Sequence, residues 1–118
     1  MGPLEREVME VIWRAGRGLP VREILNTINS HKSVPYAYTT ILTVCQNLEK
    51  KGLLRSERTG RMNLYHPTVS REKFYKDRLT HIIGQFVKEN PEVAASFFAE
   101  AMDLTPEEAY DLLKKFER

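Results

Sequence analysis

One cysteine, Cys45, stands in a chain of 118 residues, so no intramolecular disulfide can form. Its place on the apolar side of a helical repeat marks a buried structural thiol and not a nucleophile. No apolar run approaches the roughly 20 residues that cross a bilayer, and no membrane insertion is expected. Met1-Gly2-Pro3 opens into a charged amphipathic segment instead of a signal peptide, which points to the cytoplasm. Histidine is scarce too: His31, His66 and His81 stand far apart, without metal-ligand spacing. Phosphate-cradling glycine loops are missing, as are internal repeats, low-complexity tracts and long linkers. Catalysis, a bound metal and a cofactor therefore have no motif to rest on, and the chain is not expected to be an enzyme.

What is present is a folded, charged chain. Hydrophobic residues make up 42% and charged ones 29%, which excludes a disordered polypeptide. Net charge is +2, unevenly spread. Residues 1–70 hold ten Lys/Arg against six Asp/Glu, whereas residues 71–118 hold eight against ten, so the front is the candidate for an anionic partner.

The stretch from Tyr36 to Gly52 organises the rest. At about 100° per residue, Tyr38, Ile41, Cys45 and Leu48 share one side, while Thr39, Thr40, Thr43, Gln46, Asn47 and Lys50 share the other. A merely solvated helix face is usually rich in Glu and Lys. Thr, Gln and Asn are poorer helix formers, but they hydrogen-bond base edges and phosphates. Lys50 and Lys51 suit a helix C-terminus, which Gly52 ends.

Ahead of it, Pro3 opens a first helix carrying Leu4, Val8, Val11 and Ile12, closed near Arg14-Ala15-Gly16. Val21, Ile24, Leu25 and Ile28 define a short second helix ending at Asn29-Ser30. Beyond Gly52 the period changes. Leu53–Thr59 and Met62–Pro67 are expected to form a hairpin around Thr59-Gly60-Arg61. Three helices and a hairpin with basic residues at its tip make a winged helix-turn-helix over residues 1–69, the third helix entering the major groove and Arg58 and Arg61 lying along phosphates.

Residues 70–118 are expected to be a three-helix dimerisation segment. Ser70 would cap a helix to about Asn90 with Phe74, Leu79, Ile82, Ile83, Phe86 and Val87 on its apolar side. Pro91 starts a second helix, in which Phe97-Phe98, Val93, Ala94 and Ala101 are expected to be buried. Thr105-Pro106-Glu107-Glu108 forms a capping box for a third, burying Ala109, Leu112, Leu113 and Phe116. So short a segment seldom buries such a set alone, so Phe74, Ile82, Phe86, Phe97, Phe98, Leu112, Leu113 and Phe116 are the expected contacts to a second copy.

The sequence resembles the penicillinase and methicillin repressor family of bacterial winged-helix regulators. Leu4-Glu5, Val8-Met9 and Ile12-Trp13 carry the likeness in the first helix, Val21-Arg22-Glu23-Ile24 in the second, Ala37 to Val44 with Leu48 and Lys51-Gly52 in the third, and Gly60-Arg61 to Tyr65 in the wing. The tail matches mainly in length and helical pattern. The resemblance implies a homodimeric repressor on an inverted-repeat, double-stranded DNA operator, often built on TACA/TGTA half-sites. It puts Thr40 and Thr43 on the DNA, and the Lys50-Lys51 end and the wing on the backbone. It also implies a membrane sensor protease that triggers cleavage of the tail. The chain departs from the family pattern at three points: Asn47 where many members have Arg, Phe97-Phe98 where many have Asn-Phe at the cut, and no C-terminal cysteine cluster like that of the copper-responsive relatives.

The rival readings are a winged helix that binds protein and a winged-helix regulator that senses a small ligand directly. The first does not require Lys50, Lys51, Arg55, Arg58 and Arg61 to gather at the helix end and wing. The second requires a pocket, which a sequence does not display. Tyr36 and Tyr38 can stack on bases or pack on the domain, and both roles stay open at this point.

Overall fold

The computed structural model describes residues 1–116, which divide into a compact unit Met1–Arg71 and a second unit from Glu72 onward. In the first, α1 (Pro3–Ala15) starts with Glu5 Oε1 accepting from the Gly2 N–H at 3.2 Å and stops at Gly16, φ 66°. Helices α2 (Val21–Asn29) and α3 (Tyr38–Lys50) follow. Their turn is clasped by one side chain: Asn29 Nδ2 donates to the Tyr36 carbonyl at 3.1 Å, and its Oδ1 accepts from the Tyr36 N–H at 2.8 Å. At the far end of α3 the Leu53 N–H bonds the Leu48 carbonyl and the Gly52 N–H bonds the Glu49 carbonyl. Gly52 is left-handed there (φ 81°), as this paired closure demands.

Strands β1 (Leu54–Thr59) and β2 (Met62–Pro67) pair antiparallel from Leu54 with Pro67 to Thr59 with Met62. Gly60 (φ 61°) and Arg61 form the turn. A third rung comes from the loop before α2, where Leu19 and Tyr65 exchange backbone bonds at 3.1 and 2.8 Å. The rung runs close to β2, and any Cβ at Gly18 would run into the His66 ring. Val8, Met9, Ile12, Ile24, Ile41 and Leu48 form a core with no exposure, onto which Leu54 and Tyr65 close from the sheet. The result is a winged helix-turn-helix, mainly α with a small hairpin.

The second unit is helical. α4 (Arg71–Glu89) continues from the first unit, and α5 (Pro91–Met102) and α6 (Pro106–Leu113) follow, with a 3-10 turn at Lys114–Phe116. The capping box forms as read: Glu108 N–H to Thr105 Oγ1 at 3.1 Å, and Thr105 N–H to Glu108 Oε1 at 3.0 Å. Its interior is small, with Val87, Ala94 and Leu113 surrounded by Ile83, Phe98 and Phe116. Gly84 lets the last turn approach, since a methyl there would meet the Phe116 carbonyl at 2.8 Å.

Burial in this unit departs from expectation. Of the apolar side expected on α4, Phe74 and Val87 are buried, while Leu79, Ile82 and Phe86 are exposed. On α5, Ala94 is buried as expected, but Val93 and Ala101 are exposed, and Phe97 is 61% exposed, its ring edge-on to Phe98 at 5.5 Å. Leu112 is only half-buried. The reason is shortage of cover: helices of this length enclose a core of a few side chains, and periodicity names an apolar face without naming what lies on it. Phe74 and Leu113 already sit in the chain's own interior, whereas Ile82, Phe86 and Phe97 do not.

Candidate nucleic-acid interface

Helix α3 turns Ile41, Cys45 and Leu48 fully inward. Burial pushes the Cys45 thiol up to about 12, which keeps it protonated and inert. On the opposite side Thr39, Thr40, Thr43, Gln46, Asn47 and Lys50 are all exposed. The Thr43 hydroxyl donates to the Thr39 carbonyl at 2.9 Å, leaving its lone pairs and methyl group outward. Tyr38, grouped with the inward residues by periodicity, is 40% exposed, because it is the first residue of the helix and lies beyond the end of the core. Arg22 of α2 lies over its ring, 4.8 Å from the centroid.

The charges sort themselves. Five of the six carboxylates of residues 1–70 are held by a neighbouring donor. Glu5 takes Lys51 at 2.8 Å, Glu7 takes Lys32 at 3.0 Å, Glu10 takes Arg71 at 3.0 Å, and Glu23 takes Arg17 at 2.8 Å. Glu49 accepts from the Ser56 hydroxyl at 2.6 Å and its N–H at 3.2 Å, and Glu57 stands 3.5 Å from His66 Nε2. Among the described residues of this unit Arg6 and Arg14 on α1, and Arg22, Lys50, Arg55, Arg58 and Arg61 on α2, α3 and the wing, therefore have no carboxylate at ion-pair distance, and all seven are exposed. Arg58 Nε donates to the Gly60 carbonyl at 3.0 Å, which steadies the wing tip and leaves its terminal amino groups available.

Comparison with known proteins bears on what such a surface serves. The penicillinase repressor family matches residues 1–118. The chain belongs to the penicillinase repressor family. Over 85 residues it is 31% identical to the transcriptional regulator BlaI of two strains of Mycobacterium tuberculosis, CDC 1551 / Oshkosh and H37Rv. That match covers 72% of this chain and 60% of each relative, so it spans about three fifths of the relatives' length. Two solved chains titled as complex structures of hsRosR-S1 and hsRosR-S4 share the fold, each with a TM-score of 0.54 over 86% of this chain. They are covered to 95% and 92%, at 18% and 19% identity.

The matching family is one of repressors, and both relatives are transcriptional regulators. No helix among the described residues is long and apolar enough to cross a membrane. Three features of this family member escape sequence reading. The Leu19–Tyr65 rung is a single pair lying between Gly18 and Pro20, too short to show a period; the Asn29 clasp looks like an ordinary helix end; and Arg22 lay inside a matching motif without a role.

Lys51 stands at the exposed end of α3, and its ammonium bonds both oxygens of Glu5, at 3.0 and 2.8 Å. That bond, ahead of the Gly2 N–H, holds the Glu5 carboxyl below the usual carboxylate range. A lowered carboxylate contributes stability that is complete above its ordinary pKa of about 4.3 and is lost as the pH falls through the lowered folded value. Lys51→Met should therefore cost a few tenths of a kcal/mol at neutral pH, since the pair is partly solvated, and should flatten the acid loss of stability. Urea unfolding from neutral pH down through the carboxylate range checks this. An unchanged acid limb in the variant would dissociate Lys51 from Glu5.

Proposed function

We propose that the protein represses transcription as a homodimer, each winged unit presenting the outer face of α3 to the major groove of one operator half-site and its wing to the adjoining phosphates. The observation that carries this reading is where charge is left: Glu5, Glu7, Glu10 and Glu23 of α1 and α2 are each held by a cation, while Lys50, Arg55, Arg58 and Arg61 and the hydrogen-bonding Thr, Gln and Asn side chains are left exposed on α3 and the wing. A winged helix that binds protein has no need of that separation. The second copy is supported by Ile82, Phe86 and Phe97, which their own chain leaves uncovered. Release would follow from cutting the tail. In a dimer the Phe97-Phe98 bond lies under the partner, so cleavage by a sensor protease requires α5 to open first.

Substitutions that separate positioning from reading test the assignment. Lys50→Ala, Arg58→Ala and Arg61→Ala should weaken binding to a duplex carrying inverted TACA/TGTA half-sites and to a mixed-sequence duplex about equally, each lowering the salt slope by about one unit per subunit. Thr40→Ala, Thr43→Ala and Asn47→Ala should cost about 1–3 kcal/mol on the repeat and much less on the mixed duplex. Fluorescence anisotropy over a salt series reads both. If Arg61→Ala changed base preference and Thr43→Ala did not, the roles of wing and helix would be reversed.

A further inference from the structure

We propose that Arg22 is a further DNA-contacting residue, a phosphate clamp at the start of α2, and that Tyr38 is the platform that positions it and not a reader of bases. The inference rests on the DNA-binding reading above and adds to it a residue outside the third helix and the wing. In a helix-turn-helix the first of the two helices crosses the phosphate backbone and the second enters the groove. Arg22 is the second residue of α2 and Tyr38 the first of α3, so their contact joins the two helices at that crossing.

Three observations give Arg22 this role. Its guanidinium carbon lies over the Tyr38 ring, 4.8 Å from the centroid, a cation–π distance, and the side chain is exposed with no carboxylate at ion-pair distance, so its fork of N–H donors is available to a phosphate. Its sequence neighbour Glu23 does not neutralise it, because both Glu23 oxygens accept from Arg17, at 2.8 and 3.2 Å. The helix-turn-helix also contains its own counter-example. Lys32 lies over Tyr36 at 5.9 Å, the same chemical pairing, yet its ammonium is held by Glu7 at 3.0 Å. One cation–ring pair at this turn is closed off by a carboxylate and the other is not.

The experiment titrates the full chain against the inverted-repeat duplex and the mixed-sequence duplex over a salt series, with thermal melts to confirm that every variant folds. Arg22→Ala should lose about tenfold in affinity on both duplexes and about one unit of salt slope per subunit. Lys32→Ala should leave the slope unchanged. Tyr38→Phe should bind as the parent does, whereas Tyr38→Leu should weaken the parent and have no effect when Arg22 is already alanine, because a platform acts only through what it holds. An unchanged slope for Arg22→Ala beside a lowered one for Lys50→Ala would overturn the proposal and leave the DNA reading standing. Unchanged slopes for both would overturn the two together. Additive losses from Tyr38→Leu and Arg22→Ala would remove the platform role.

Discussion

Replacing Ile82 and Phe97 together by glutamate should turn a dimer into a monomer in sedimentation velocity and lower affinity for the inverted-repeat duplex by about a hundredfold or more. Both side chains are exposed, at 59% and 61%, each on the apolar stripe of its own helix, Ile82 with Leu79 and Phe86 on α4 and Phe97 with Val93 on α5. Apolar surface contributes about 25 cal/mol for each Å² removed from water, so a partner that covers this stripe gains several kcal/mol from it. A carboxylate in the stripe must either be desolvated or hold the two copies apart. The loss on DNA arises without touching the winged unit: two linked half-site contacts become two separate ones, and the effective concentration of the second is forfeited. The same variant keeps Phe98 and should be cut after it by chymotrypsin sooner than the parent, since nothing then covers α5. A parent that sediments as a monomer at micromolar concentration would remove the basis for both expectations.

Ile41→Ala should lower the unfolding free energy of the winged unit by about 2–5 kcal/mol, the range for truncating a fully buried isoleucine. Ile41 has no exposure and shares the core with Val8, Met9, Ile12 and Ile24. Domains are stable by only about 5–15 kcal/mol, so a loss of this size takes a large share of the total. Thr40, its neighbour in sequence, points outward, and Thr40→Ala should change stability by less than about 0.5 kcal/mol while impairing DNA binding. Urea titrations with an unchanged slope, set beside anisotropy on the same samples, separate the two effects. Equal destabilisation by both substitutions would mean that α3 does not divide into an anchoring side and a reading side.

The helices and the wing were legible because their signals are local. Pro3, Gly16, Gly52 and the Thr105 capping box mark ends within one turn of chain, and the outer residues of α3 are exposed as its periodicity implied. The ties that hold these pieces together were not legible, because each is a single contact across a long separation. Lys51 meets Glu5 46 positions away, and Leu19 meets Tyr65 through backbone groups that every residue possesses. Charge counting placed a basic excess in residues 1–70, yet could not tell Arg17 and Lys32, which carboxylates hold, from Arg22 and Lys50, which none does. In the tail the pattern identified Leu79, Ile82 and Phe86 as one apolar stripe; a stripe, however, is a property of one helix, and its cover belongs to whatever packs there.

Trp13 is the chain's only tryptophan, and its indole Nε1 donates to the Val69 carbonyl at 2.9 Å, 56 positions further on. An indole seldom leaves that donor without a partner when it is packed against a core, and its emission colour follows the hydration of the same atom. The molecule thus carries one fluorophore at the place where the strand of the wing gives way to the first tail helix. Loosening of that place, by heat, denaturant or a cut in the chain, shifts an intrinsic spectral signal with no label attached, while events confined to the wing tip leave the signal dark.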